Sequence, residues 1–307
     1  MALPDYQGFM LPLLQELADG GEHPLTEIRD RVATKLELSA ADLEAVLPSG
    51  KQTVFGNRLG WAKTYVERAG LLRTVRRGVY QITDRGRSVL SKKPAKIDGA
   101  FLSQFPEFQE FKKRSEPATE ETGLVPVSGF GSTATPQEAL DLAHQQLRRG
   151  LEAELLASVR GASFGFFERL VVELVVKMGY GGSIMDAGKA IGRSGDDGLD
   201  GVIKEDHLGL DAIYLQAKHW KPDRKVGRPG VQAFAGSLEG VRGRKGVFLT
   251  TSGFSDEARE YVSRIEKKIV LIDGEQLASL MVEFGVGVTK VATYEVKRVD
   301  TDYFSEE

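Results

Sequence analysis

The run Ala212-Ile213-Tyr214-Leu215-Gln216-Ala217-Lys218 constrains the fold more than any other feature of the chain. Side chains alternate across a strand, so Ile213, Leu215 and Ala217 face a core while Tyr214, Gln216 and Lys218 share the other face. Gln216 and Lys218 then stand about 7 Å apart at the end of an apolar strand, an unusual way to finish one. Further strands are expected at Gly201–Lys204, Gly246–Thr250 and Lys268–Ile272. Helices are expected at Phe164–Met178, Val231–Val241 and Ser255–Ile265, the last capped by Ser255. There are no internal repeats. Strands and helices interleaved in this way imply a mixed sheet flanked by helices, an α/β class.

The first ninety residues keep a different period. Phe9, Leu13, Leu14 and Leu17 recur at helical spacing and stop at Gly20-Gly21. A second helix opens at Pro24-Leu25-Thr26-Glu27 with Ile28, Val32 and Leu36 as its stripe, and a third carries Leu59, Ala62, Val66 and Ala69 to Gly70. Leu71–Tyr80 and Gln81–Leu90 read as a hairpin turning at Arg77-Gly78. Three helices and a basic hairpin predict a winged helix-turn-helix over residues 1–93, in which one helix enters the major groove and the hairpin lies along the backbone. Asn57 and Arg58 on the third helix are residue types that read adenine and guanine edges, though either also suits a phosphate. Lys63, Arg73, Arg76 and Arg77 complete the expected DNA-binding set, and Trp61 reads as core. Residues 94–135 read as a linker, part of it docked through Phe101, Phe105 and Phe108. A helix resumes with Thr135 as its cap and Pro136 as its first residue. It runs through Leu140, Leu142, Leu147, Leu151 and Leu155 to about Val159, with a break near Gly150. A second domain spans 136–299 and an acidic tail 300–307.

Composition excludes several chemistries. The 307 residues include no cysteine, so a disulfide scaffold, a thiolate zinc site, an iron–sulfur cluster and a cysteine nucleophile are all ruled out. Asp5, Glu16 and Asp19 argue against a signal peptide, and Leu170–Met178, interrupted by Glu173 and Lys177, is too short to cross a bilayer. The expectation is a soluble cytoplasmic protein with no membrane partner. A net charge of −3 hides a segregation: residues 1–50 carry −6, residues 51–93 carry +9 and residues 218–245 carry +6. Two basic blocks in an acidic chain are the pattern of a polyanion binder.

Asp200 stands sixteen residues before Gln216, ahead of a short strand that can pair with this one. One carboxylate, one amide and one lysine at adjacent strand ends can hold a hard divalent cation and aim a water at a phosphodiester. Mg²⁺ (or Mn²⁺) takes oxygen ligands and keeps several waters, so Asp200, the Ala217 carbonyl and a further carboxylate would suffice. Glu168 lies on the edge of the helical stripe formed by Phe164, Phe167, Val171, Leu174, Val175 and Met178, whereas Glu173 faces solvent. Lys218 can orient or deprotonate the water and offset charge on the phosphate. Other patterns are weaker. Gly188-Lys189-Ala190 lacks the Ser or Thr of a phosphate loop. The four histidines have no metal-ligand spacing, and His219 reads as an exposed strand-end residue or a phosphate contact. Thr250-Thr251-Ser252 suits either a phosphate or a helix cap, and Gln232 is a further candidate for the site.

At these residues the chain resembles the Mrr family of modification-dependent (type IV) restriction endonucleases, whose catalytic domain belongs to the PD-(D/E)xK nuclease superfamily. The resembling stretches are Phe167-Glu168-Arg169-Leu170, Met178-Gly179-Tyr180-Gly181, Gly192 through Gly201, Gln216-Ala217-Lys218, and Leu249-Thr250-Thr251-Ser252-Gly253-Phe254-Ser255. The resemblance implies that Asp200 is the metal-binding acid, Lys218 the catalytic lysine and Glu168 the helix acid. Gln216 then replaces the superfamily's second acid, as is normal for this branch, and Asp197 has no role. It also implies a core of α-β-β-β-α-β order and an Mg²⁺-dependent enzyme that cuts methylated foreign double-stranded DNA. Cutting both strands needs two active sites or two visits, so a homodimer or higher assembly is expected. The rival expectation is a DNA-binding regulator that keeps the nuclease fold without its chemistry; metal titration separates the two.

Overall fold

The structure, a computed structural model, describes residues 3–115, 133–180, 199–204, 211–297 and 299. The chain divides into two compact units, the first of residues 1–145 with 296 onward and the second of residues 146–295, so the second unit ends at Glu295 rather than at 299.

In the first unit α1 (Met10–Glu16) forms where the apolar spacing puts it, with Phe9, Leu13, Leu14 and Leu17 fully buried. It is followed by β1 (His23–Pro24), α2 (Leu25–Lys35), α3 (Ala40–Glu44), α4 (Val54–Arg68), β2 (Leu72–Arg76) and β3 (Val79–Ile82). Thr53 starts α4 by accepting from the Gly56 N–H, and the helix buries Phe55, Leu59, Ala62, Tyr65 and Val66. The strands pair antiparallel in the order β1-β3-β2, and the hairpin turns at Arg77-Gly78, where Gly78 takes φ +69°. The second hairpin arm ends earlier than expected. Thr83 caps a helix, α5 (Asp84–Ser91), so Gln81–Leu90 is strand only as far as Ile82.

Gly86 lets that helix lie against the hairpin. A Cβ there would sit 2.1 Å from the Leu71 carbonyl oxygen and 2.6 Å from Ile82 Cγ1, and the backbone oxygen has nowhere to go. Gly86→Ala is therefore expected to destabilise this unit by about 2 kcal/mol or more, the scale of overpacking a tight core. Thermal unfolding of the variant beside the parent measures it.

The first unit also extends past residue 93. Its core takes in Ile97, Leu102 of α6 (Gly99–Leu102) and Phe108 of α7 (Pro106–Ser115). Apolar burial thus overrides the linker-like composition as far as Ser115; residues 116–132 lie outside the described residues. α8 (Pro136–Gly161) begins in this unit and continues into the second. Thr135 and Glu138 cap it reciprocally: the Thr135 N–H donates to Glu138 Oε2 at 2.7 Å, and the Glu138 N–H donates to Thr135 Oγ1 at 3.2 Å. The helix passes unbroken through Gly150, since one interior glycine costs only about 1 kcal/mol.

The second unit continues with α9 (Phe164–Lys177), β4 (Gly201–Lys204), β5 (Ala212–Lys218), α10 (Arg228–Gly240), β6 (Lys245–Thr250), α11 (Asp256–Arg264), β7 (Lys268–Ile272) and α12 (Gly274–Phe284). The sheet order is β4-β5-β6-β7, with β4 antiparallel to β5 and the remaining pairs parallel. Ile213, Leu215 and Ala217 pack with Phe167, Val171 and Leu174 of α9 and Leu277 and Met281 of α12. On the other face Phe248 packs with Phe234 and Leu238 of α10 and Ala258 of α11. Both faces are covered, as parallel strands require. Two details depart from the helical reading: Phe164 is exposed at the first turn of α9, and Leu170 and Val172 widen its buried stripe. Only β4 and β5 lie between α9 and α10 among the described residues. The three consecutive strands implied by the resemblance are therefore not seen among the described residues; Asp197 and the tail 300–307 lie outside them.

Candidate active site

The register of β4 on β5 builds the site. Gly201 pairs with Leu215, so Asp200, one residue earlier, lies opposite the final residues of β5. Its N–H donates to the Leu215 carbonyl at 2.9 Å. Its Oδ2 accepts from the Ala217 N–H at 2.7 Å and from the side-chain amide of Gln216. Gln216 is buried, 3% exposed, on the strand face shared with Lys218. Glu168, half-buried at the edge of the α9 stripe, approaches closely enough to feel Asp200. Asp200 at the start of β4 is therefore joined to Gln216 and Ala217 at the end of β5, and Glu168 of α9 lies within reach of its charge.

Their electrostatics are those of a site short of positive charge. Burial pushes the Asp200 carboxyl above the ordinary carboxylate value; the Ala217 N–H, the Lys218 ammonium and the Gln216 amide pull it back without cancelling the effect. Lys218 acts on Asp200 through space rather than by a hydrogen bond. Burial, and then the charge of Asp200, raises Glu168, with Arg169 opposing. Two carboxyls raised by burial, one of them also by the charge of the other, are what a nearby cation would relieve. The donors fit a hard ion. Both side chains offer oxygen, and a strand residue's N–H and C=O point to the same edge, so the Ala217 carbonyl faces the edge where Asp200 sits. Among the described residues no group of three or more His, Cys, Asp and Glu is placed to hold a metal ion; a hard ion held by fewer protein oxygens keeps waters in its shell.

The neighbouring polar residues turn out to be framework. Thr250 Oγ1 donates to the Lys218 carbonyl at 2.8 Å and Thr251 Oγ1 to the Trp220 carbonyl at 2.7 Å, so this pair ties the ends of β5 and β6 together and neither presents its hydroxyl to a ligand. His219 is not the exposed strand-end residue expected: its Nε2 lies 2.9 Å from the Val159 carbonyl and its ring packs 5.4 Å from that of Phe167. Gln232 points to solvent from α10. Arg160, near the end of α8 with no motif around it, donates to the Thr251 carbonyl at 2.9 Å and fixes the same strand ends.

The expected DNA-binding residues divide into two groups. Arg73, Arg76 and Arg77 are exposed on the hairpin, Arg73 donating to Gln81 Oε1 at 2.7 Å. Asn57 and Arg58 are not on an open surface. Asn57 is 2% exposed and accepts from Thr135 Oγ1 at 2.6 Å. Arg58 donates to Glu138 Oε1 at 2.8 Å and to the Leu3 and Pro4 carbonyls. Trp61 is partly buried, as read, and donates to Gln137. Lys63 lies over the Tyr80 ring at 5.0 Å with Glu67 beside it. The first turn of α8 covers this part of α4, and helical periodicity carries no signal of a cover supplied 80 residues away.

A carboxylate, an amide and a lysine gathered at one strand end of a mixed sheet covered by helices define a nuclease-type α/β domain. Residues 159–281 match the family model described as a restriction endonuclease, and residues 6–92 match that of the Mrr N-terminal domain. The chain belongs to the Mrr family of restriction endonucleases. The type IV methyl-directed restriction enzyme EcoKMrr of Escherichia coli (strain K12) is 35% identical to it over 311 residues, covering 99% of this chain and 100% of that protein. Two solved structures share less. The MspJI restriction endonuclease in complex with a 27-mer oligonucleotide is 20% identical (TM-score 0.29) over 66% of this chain and 47% of that one. The DNA modification-dependent restriction endonuclease AspBHI is 17% identical (TM-score 0.36) over 70% and 56%. The chain thus spans about half the length of each of these two.

Proposed function

We propose that the protein is a divalent-metal-dependent endonuclease that hydrolyses phosphodiesters in methylated duplex DNA. The observation that supports this reading is the Asp200 carboxylate held by Gln216 and the Ala217 N–H at the end of β5, with Lys218 and Glu168 within its electrostatic reach. Asp200, Glu168 and the Ala217 carbonyl would hold Mg²⁺ or Mn²⁺, which when bound supplies positive charge to the phosphate and lowers the pKa of a coordinated water. Gln216 keeps the Asp200 carboxylate turned to the strand end. Lys218 holds the attacking water, assists its deprotonation and offsets charge on the phosphate as it builds. The water oxygen bonds to phosphorus, one ester P–O bond breaks, and the departing oxygen takes a proton. Arg73, Arg76 and Arg77 would follow the DNA backbone from the first unit, which acts as the winged-helix module. Methyl direction is the property named for the E. coli relative and is extended here to this chain. Scission of both strands by single-site chains calls for a homodimer or larger assembly, acting on foreign DNA in the cytoplasm.

Digestion of otherwise identical methylated and unmethylated plasmids, with Mg²⁺ or with EDTA, tests the reading. Cutting confined to methylated DNA with Mg²⁺ is expected. Binding of both plasmids without any cutting would leave the regulator in its place.

A further inference from the structure

The segment that follows Lys218 is built more firmly than a surface loop needs to be. Its start is pinned where the Trp220 N–H donates to Thr251 Oγ1 at 2.9 Å. Its end is pinned at Val226, which is fully buried: the Val226 N–H donates to the Gly253 carbonyl at 2.8 Å, and the Ser255 N–H to the Val226 carbonyl at 3.0 Å. Between and just beyond these anchors Lys221, Arg224, Lys225 and Arg228 are all exposed. Among the described residues no acidic partner holds the two arginines; aromatic rings do. The Arg224 guanidinium lies 4.0 Å from the Trp220 ring centroid, and that of Arg228 lies 5.4 Å from the Tyr261 ring centroid. Neither arginine enters a salt bridge among the described residues. Lys225, by contrast, acts on Glu257.

A guanidinium seated on a ring face keeps its N–H fork in the plane, free for bidentate bonds to a phosphate, and has surrendered part of its rotamer freedom before any ligand arrives. The loops leaving β5 and β6 emerge at the carboxyl ends of parallel strands, where open α/β sheets take their ligands. We propose that Trp220–Arg228 is a preformed phosphate clamp for the substrate DNA backbone, with Arg224 and Arg228 as the contacts and Trp220 and Tyr261 as the rings that orient them. The clamp rests on the reading that Lys218 marks the active site, and it adds the groups that hold the strand there. Arg224 and Arg228 are binding residues, and Trp220 is a positioning residue.

Two experiments on the full chain test this, read by fluorescence anisotropy of a labelled methylated duplex in EDTA, so that no cleavage intervenes. In the first, Arg224→Gln with Arg228→Gln is compared with the parent and with Lys177→Gln plus Lys268→Gln, an equal loss of exposed charge elsewhere in the second unit. The arginine pair is expected to lower affinity about tenfold or more and to flatten the log affinity–log salt slope by about 1.8, some 0.9 per lost phosphate contact. An unchanged slope, or one matched by the lysine control, overturns the clamp. In the second, Trp220→Leu, which alters no charge, is expected to flatten the slope by about 0.9, and Trp220→Tyr to restore it. A Trp220→Leu variant that unfolds like the parent but keeps its full slope removes the positioning role. Because both readouts are of binding, a clamp that fails is distinguishable from a nuclease reading that fails, which shows only as absent cutting.

Discussion

Lys218→Ala is expected to slow DNA cleavage by on the order of 10³-fold, the combined scale of losing a positioned proton-transfer group and a charge aimed at the phosphate. Binding of the same DNA should stay within a few-fold, because one charge of a broad basic surface contributes little to it. The split arises from position. Lys218 is the last residue of β5, half-buried, and its backbone is fixed by the Thr251 N–H and Thr250 Oγ1, both of which donate to its carbonyl, so removing the amine leaves the strand end intact. Single-turnover cleavage of a methylated plasmid beside anisotropy in EDTA measures both quantities. A variant that cuts at the parental rate would take the chemistry away from this strand end.

Asp200→Asn is expected to abolish detectable cutting and to erase the heat of Mg²⁺ or Mn²⁺ binding in calorimetry, while raising the thermal stability of the metal-free protein at neutral pH. The sign follows from the raised pKa of Asp200. The native state holds this proton to higher pH than the unfolded chain does, so the stabilisation is complete below the ordinary carboxylate range and is lost as pH rises through the raised native value. Asparagine carries no charge to bury, and its carbonyl can still accept from the Ala217 N–H. The stability gain should therefore vanish on acidification, where the parent carboxyl is protonated too. Metal binding in the parent should strengthen with rising pH as the raised carboxyls of Asp200 and Glu168 give up their protons. A melting temperature for Asp200→Asn below the parent's at pH 7 would show that the carboxylate stabilises the fold instead.

Much of this framework was legible in the chain. The period-2 run 212–218 determined which residues of β5 face the α9 core and placed Gln216 with Lys218. The strands at 201–204 and 268–272 fall where they were read, and Ser255 and Thr135 cap the helices they were expected to cap. The convergence of Asp200 with Gln216 followed from one pairing assumption that the register bears out. What escaped was set by tertiary contacts rather than by period. Phe101, Phe105 and Phe108 hinted that the polar-looking stretch after 93 docks, but its two helices exist because Ile97, Leu102 and Phe108 find a core to enter. His219 gave no sign of its bond to Val159, nor Asn57 of its partner Thr135, because both contacts join segments that only the fold brings together.

That last contact has an energetic corollary. Thr135 and Glu138 occupy groups of Asn57 and Arg58 that a base edge would use. Any nucleic acid that engages Asn57 or Arg58 must evict the opening turn of α8, so the two occupants compete for one set of hydrogen bonds. By thermodynamic reciprocity, such a nucleic acid and the closed turn would weaken each other's hold on α4 by the same factor.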